Sequence, residues 1–202
     1  MNTKTLALII VFVALTAAIN IFSPKIPFPP APFLYYNLWE IPIVVAFLLF
    51  GPQTGFSIAV LNTLILLISF PGNLPTGPFY NLIAVIAMLL GVFTGYKIAT
   101  YNCPKEKISD FLKRHALGLS ISTTALGIIT RVAITTVSNY FLIEQPSPIG
   151  FGSFFPFGGF TGHAAIIAFL PFSVLFNATQ ALFTIPIGLV VAIAVVSRFK
   201  IQ

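Results

Sequence analysis

The sequence predicts an all-α fold: a polytopic membrane protein, a six-helix transmembrane bundle with its N- and C-termini in the cytoplasm. Three observations carry that expectation. Of 202 residues, 57% are hydrophobic and only 7% charged, and the mean hydropathy is +1.01, whereas an ordinary soluble domain is about 25% charged. Apolar runs long enough to cross ~30 Å of hydrocarbon, about 20 residues each, follow one another with short connections and leave no room for a sizeable soluble domain. Finally, Lys4, Lys97, Lys105, Lys107, Lys113, Arg114, Arg198 and Lys200 gather at one end of the predicted spans, with Lys25 alone at the other. That positive-inside bias fixes the orientation.

Residues 1–202 read as one integral membrane domain. The first span, Thr5 to Phe22, follows Lys4. With the small residues that close Leu15-Thr-Ala-Ala18, this start also fits a cleaved signal peptide, but a retained helix agrees better with the charges of the later loops. The second span, Phe33 to Phe50, has Pro42 near its start, and only Gly51 and Pro52 separate it from the third, Gln53 to Phe70, which forces an antiparallel hairpin. The fourth runs from Phe79 to Ala99 and the fifth from Ala116 to Ile143. None alternates as a barrel strand does, so all should be α-helical. The sixth segment, Thr161 to Ser197, is too long for one crossing and contains Pro171 and Pro186. It reads as a broken helix whose outer piece, Thr161 to about Phe172, caps the bundle, with a simple proline kink as the alternative.

Inside an apolar run a polar residue is costly unless it meets a partner, a cavity or a ligand. Counting the rise per residue puts Asn37, Trp39 and Glu40 at the outer end of the second span and Tyr80 and Asn81 at that of the fourth. Arg131, Asn139 and Tyr140 fall in the outer part of the fifth, and Asn177 and Gln180 at the same level of the sixth. Polar groups of four helices thus converge on one layer. On the fifth span Gly127, Arg131, Thr135 and Asn139 recur every four residues, continued inward by Thr124 and Ser120. This stripe is either a pocket wall or a packing face whose hydroxyls bond backbone carbonyls. Arg131 needs a partner at its depth, either a ligand or Glu40 or Glu144. Two aromatic clusters, Phe28, Phe33, Tyr35, Tyr36 and Trp39, and Phe151, Phe154, Phe155, Phe157 and Phe160, fit an interfacial belt or a lid over a flat ligand.

Several functions are excluded. No Gly-Lys dipeptide occurs, so there is no phosphate-binding loop, and ATP hydrolysis must belong to another subunit. Cys103 is the lone cysteine, and His115 and His163 are the two histidines, so neither a disulfide nor a metal site is expected, and no cofactor is implied. His163 reads as a cap or loop residue. No nucleophile and base pair up, which argues against an enzyme. No carboxylate lies near the midplane, which weakens a proton- or sodium-coupled carrier. The net charge of +6 sets orientation and does not imply nucleic acid.

The stretch Phe33-Leu-Tyr-Tyr-Asn-Leu-Trp-Glu-Ile-Pro42, followed by Leu49-Phe-Gly-Pro52, together with Arg131, Asn139-Tyr-Phe141 and Phe176-Asn177, resembles the substrate-binding S components of energy-coupling factor (ECF) vitamin transporters, closest to the riboflavin-specific group. The resemblance implies a multi-pass subunit of the prokaryotic plasma membrane that binds a vitamin from outside, with a transmembrane T subunit and two ATPase subunits driving uptake. Read with the shared outer depth of the polar layer, a vitamin-binding subunit makes Asn37, Trp39, Glu40, Asn81, Arg131, Asn139, Tyr140, Asn177 and Gln180 the candidate substrate contacts, and the resemblance itself implies a T-subunit docking face from Ala14 and Ala18. Gly91 and Gly95 have the same small-residue spacing and suit either docking or internal packing. There are departures: Asn37 and Glu40 stand where the group has Asp, Gln180 where it has Lys, and Leu175 where its sixth-helix motif has Pro. The expected substrate is therefore riboflavin or, given these departures, a different flat heteroaromatic vitamin or precursor. A stand-alone carrier or channel for a small solute, and a membrane scaffold whose outer polar layer is a protein interface, are the competing readings.

Overall fold

A computed structural model describes residues 3–69, 76–101, 112, 114–146, 149–152 and 155–198. The expectations for Cys103, Lys105, Lys107, Lys113, Phe154 and Lys200 fall outside these residues. The described residues form six helices: α1 (Thr3–Phe22), α2 (Glu40–Phe50), α3 (Pro52–Ser69), α4 (Thr76–Thr100), α5 (Ala116–Leu142) and α6 (Gly162–Arg198). The chain is a multi-pass membrane protein. α1, α4, α5 and α6 are long and apolar enough to cross a bilayer, and successive helices alternate in direction. This brings Lys4, Lys97, Arg114 and Arg198 to one end of the bundle.

The expected second span is corrected in length and in kind. Residues 33–36 are not helical: they belong to a strand, β2 (Ala31–Tyr36), which pairs antiparallel with β1 (Ile26–Phe28). The prolines at 24, 27, 29, 30 and 32 remove backbone donors and fix φ, so no helix can form until the chain has passed them. What remains, α2, has 11 residues and rises only about 16 Å, roughly half the hydrocarbon thickness. Its residues from Pro42 to Leu49 are all buried, which explains why this helix is apolar on every side. Pro42 costs it nothing because first-turn N–H groups have no intrahelical acceptor. Gly51 ends it with φ +91°, its N–H donating to the Phe47 carbonyl at 3.1 Å, and Pro52 opens α3.

The sixth segment is corrected too. α6 runs unbroken from Gly162 to Arg198, 37 residues, with Pro171 and Pro186 inside it. Each proline deletes one donor but leaves the rest of the ladder intact, and packing against α5 and α2 holds the helix together across the gap. At about 55 Å, it is long enough to span the hydrocarbon and still carry Gly162 to Phe169 beyond it.

Lipid gives apolar side chains no reason to prefer each other, so small residues set the helix contacts. A Cβ at Gly91 would collide with Thr130 and the Leu126 carbonyl, and one at Gly95 would lie 2.7 Å from the Ser122 carbonyl and from Thr123 Cα. The Gly91 and Gly95 face is therefore an internal α4 to α5 contact. A Cβ at Gly188 would stand 2.7 Å from Val44 Cγ1, which seats α6 on α2. On α1, Ile9, Val13 and Thr16 are buried, and Ala14 and Ala18 are both exposed, Ala18 at the edge of an apolar groove bounded by Leu38, Ile41 and Pro42. Gly91→Ala should destabilise the detergent-solubilised protein by about 1–3 kcal/mol, because its methyl group meets backbone. Gly118→Ala, which meets nothing within 4 Å, should be neutral or slightly stabilising; equal melting temperatures for the two variants would contradict this packing.

Candidate functional site

The shortness of α2 leaves the outer half of the bundle without a central helix. There the structure has a cavity of about 460 Å³, within the 300–1,000 Å³ usual for a small-molecule site. One wall is α4, with Tyr80, Asn81 and Ala84. The opposite wall comes from α5 and α6, with Arg131, Thr135, Ser138, Asn139, Ser173 and Asn177. Asn20, Lys25, Asn37, Trp39 and Leu66 complete the sides.

Aromatic rings cover the outer side. Phe33 of β2 meets Phe155, Phe157 and Phe169 at centroid distances of 6.1, 6.3 and 5.6 Å. Phe151 lies 5.7 Å from Phe155 and 6.2 Å from Tyr80. Edge and tilted geometries of this kind favour ring pairs beyond the area they bury. The α5 to α6 loop is tied down by its backbone: Phe151 N–H donates to the Ile143 carbonyl at 2.8 Å, and Phe157 and Phe160 exchange bonds of 3.0 and 2.9 Å. Gly158 and Gly159 turn this small hairpin with φ +59° and +83°, a pair of positive values that few side chains tolerate. The β1 to β2 hairpin docks on α6 through Phe28 and Tyr36, 5.7 and 5.2 Å from Phe176, and through a 2.8 Å hydrogen bond between the Tyr36 and Thr179 hydroxyls.

Beneath the cavity lies a buried ion pair. Arg131 donates from Nη1 to Glu40 Oε2 at 2.5 Å and from Nη2 to Oε1 at 3.1 Å, and the two side chains are 2% and 1% exposed. This decides between the two carboxylates: Glu144 lies at the surface, 3.8 Å from His163 Nδ1. Arg131 Nε donates to Asn177 Oδ1 at 3.0 Å, and Nη1 also reaches Met88 Sδ at 3.5 Å. With its oxygen so engaged, Asn177 turns its amide nitrogen to the Ser173 carbonyl and Oγ at 2.9 and 3.3 Å, and Asn139 Nδ2 donates to the same Oγ at 2.6 Å. The order of donors and acceptors is thus set from the ion pair outward. It ends with the Asn139 carbonyl oxygen and the Ser173 O–H not engaged by any protein partner among the described residues. Asn20 and Asn81 likewise line the cavity, and their amides make no hydrogen bond among the described residues.

Of the residues expected at the site, Asn37, Trp39, Asn81, Arg131, Asn139 and Asn177 line the cavity. Glu40, Gln180 and Tyr140 do not. Glu40 is consumed by Arg131. Gln180 clasps the Asn37 backbone, donating to its carbonyl at 2.7 Å and accepting from its N–H at 3.2 Å, and so fixes the link between β2 and α2. Tyr140 is 40% exposed and packs on His163 and Phe141 outside the cavity. Asn20, Ser138 and Ser173 were not singled out in the sequence. Asn20 continues the buried Ile9, Val13, Thr16 stripe of α1, and Ser173 sits one turn before Asn177, so helical periodicity alone would have found both.

No family model matches the chain. A curated relative, riboflavin transporter RibU of Staphylococcus aureus (strain TCH60), is 28% identical over 142 residues, which span 70% of this chain and 66% of that protein. A solved structure, the S component of a bacterial ECF transporter, superposes with a TM-score of 0.68 at 20% identity, covering 98% of this chain and 96% of its own. The fold is that of an ECF S component, as the motifs implied.

Removing one partner of the ion pair leaves the other charged and buried. Arg131→Met should therefore cost about 3–5 kcal/mol of stability, and Glu40→Met in the same chain should return most of it. A thermal-denaturation cycle over the four chains measures this, and additive losses would show that the two side chains act independently.

Proposed function

We propose that this chain is the substrate-binding S component of an ECF-type ABC transporter in the prokaryotic plasma membrane, capturing riboflavin or a closely related flat heteroaromatic vitamin from outside. A transmembrane T subunit and two ATPase subunits would drive its uptake. The observation that carries this reading is the cavity itself: it lies in the outer half of the bundle, is covered by rings, and is lined by polar side chains, several of whose atoms have no hydrogen-bond partner among the described residues. The S-component fold and the riboflavin transporter among its relatives support it.

The chemistry of the walls suits such a ligand. Ring faces from Phe33, Phe155 and Phe169 offer stacking area to a planar heterocycle. The Asn139 carbonyl oxygen and the Ser173 O–H present an acceptor beside a donor, which matches an edge carrying adjacent N–H and C=O groups. The positive charge of Arg131 is cancelled by Glu40, so the ion pair offers a neutral ring system no competing cation. Gln180, where the riboflavin group has Lys, is bonded to backbone, which removes a second charge.

Riboflavin fluorescence should be quenched by the purified protein with a submicromolar Kd, and absence of binding to riboflavin and to a panel of other vitamins would refute the reading. Asn139→Leu should weaken binding roughly 10- to 100-fold, the loss of one or two hydrogen bonds to a ligand in a dry site. Ala14 faces outward from α1, so Ala14→Leu should abolish uptake by the assembled transporter while leaving the Kd unchanged. Loss of binding in that variant would mean that this face packs within the subunit.

A further inference from the structure

Tyr80 stands near the start of α4 and lines the cavity wall opposite Ser173 and Asn177. α4 and α6 both pack on α5 and barely touch each other, which places their outer ends on either side of the cavity. The Tyr80 ring is well held, 6.2 Å from Phe151 and packed on the cluster that contains Ile143 and Phe155. Its hydroxyl oxygen is buried and has no hydrogen-bond partner among the described residues. A phenol in such a place is worse than a phenyl ring of the same shape, because the O–H has lost water and gained nothing. Phe would fill the wall equally well, and the chain has 22 of them.

We propose that the Tyr80 hydroxyl is a specificity-determining group that hydrogen-bonds the edge of the substrate facing α4, opposite the edge read by Asn139 and Ser173. This assignment rests on the vitamin-capturing function proposed above. It narrows the substrate class to planar heterocycles carrying polar atoms on two separated edges, since a ligand polar on one edge alone would leave either Tyr80 or the Asn139 pair unsatisfied. Asn81, the next residue, lines the same cavity, its amide without a hydrogen-bond partner among the described residues. The contact between Tyr80 and Phe151 further places this edge directly under the α5 to α6 loop.

The test is Tyr80→Phe in the full chain, with riboflavin as the probe. The Kd should rise about tenfold, equivalent to ~1.4 kcal/mol, while the melting temperature of the ligand-free protein stays level or rises, because an unsatisfied hydroxyl has been removed. Among riboflavin analogues altered at one ring heteroatom or carbonyl, one should bind the wild type and the variant equally well, identifying the atom that Tyr80 contacts. A Kd within twofold of the wild type, or a weaker Kd accompanied by a lower melting temperature, would overturn the assignment; so would an analogue series in which every member loses affinity alike. A wild-type chain that leaves riboflavin fluorescence unchanged defeats the vitamin reading and this assignment with it, and is distinguished at the first titration.

Discussion

The outer half of the molecule is organised by one buried ion pair. Arg131 on α5 and Glu40 at the first turn of α2 hold each other through two hydrogen bonds, and the same guanidinium reaches Asn177 on α6 and Met88 on α4. Four helices are thereby referred to a single side chain. A lone arginine at this depth would be strongly unfavourable, and a lone carboxylate equally so; together they cancel, and the planar fork imposes a direction that apolar packing cannot. Because lipid offers no hydrophobic reason for helices to associate, such directional contacts, with the close approaches at Gly91, Gly95 and Gly188, define which helix meets which.

The polar layer divides into two kinds of group. Glu40, Gln180 and the nitrogen of Asn177 are spent within the protein, on Arg131, on the Asn37 backbone and on Ser173. The Asn139 oxygen, the Ser173 O–H and the amides of Asn20 and Asn81 are left facing the cavity. The first set orients Ser173 and, through it, Asn139. Binding to that pair loses little conformational entropy, since its recognising atoms already have one orientation each.

Much of this was legible in the sequence, and the remainder was not for physical reasons. Apolar runs and lysine positions revealed the spans and their direction, and the rise per residue put Asn37, Asn139 and Asn177 at the outer level with Arg131 several Å below Asn139; all four line the cavity. Depth along a helix axis is a one-dimensional quantity. It cannot tell whether Glu40 turns towards a ligand or towards Arg131, nor whether Gln180 faces the cavity or the backbone of the next segment, because those choices depend on rotation and on the neighbours. The β1 to β2 hairpin was hidden because Phe33 to Tyr36 is as apolar as the helix that follows, although the five prolines from 24 to 32 were evidence enough against a helix there. Proline spacing alone does not separate a broken α6 from a continuous one; a helix packed on both sides keeps its course across a single missing bond.

The 11-residue length of α2 acts as a depth gauge. The cavity is the volume that a full-length second helix would have occupied, with Trp39 and the ion pair at its floor and the prolines upstream preventing any further helical turn. Each residue added to the start of α2 would raise that floor by about 1.5 Å, and each residue removed would lower it by as much. Without moving α4, α5 or α6 within the bilayer, a chain of this architecture can thus be fitted to ligands of different height by shifting the point at which the proline-rich segment gives way to helix.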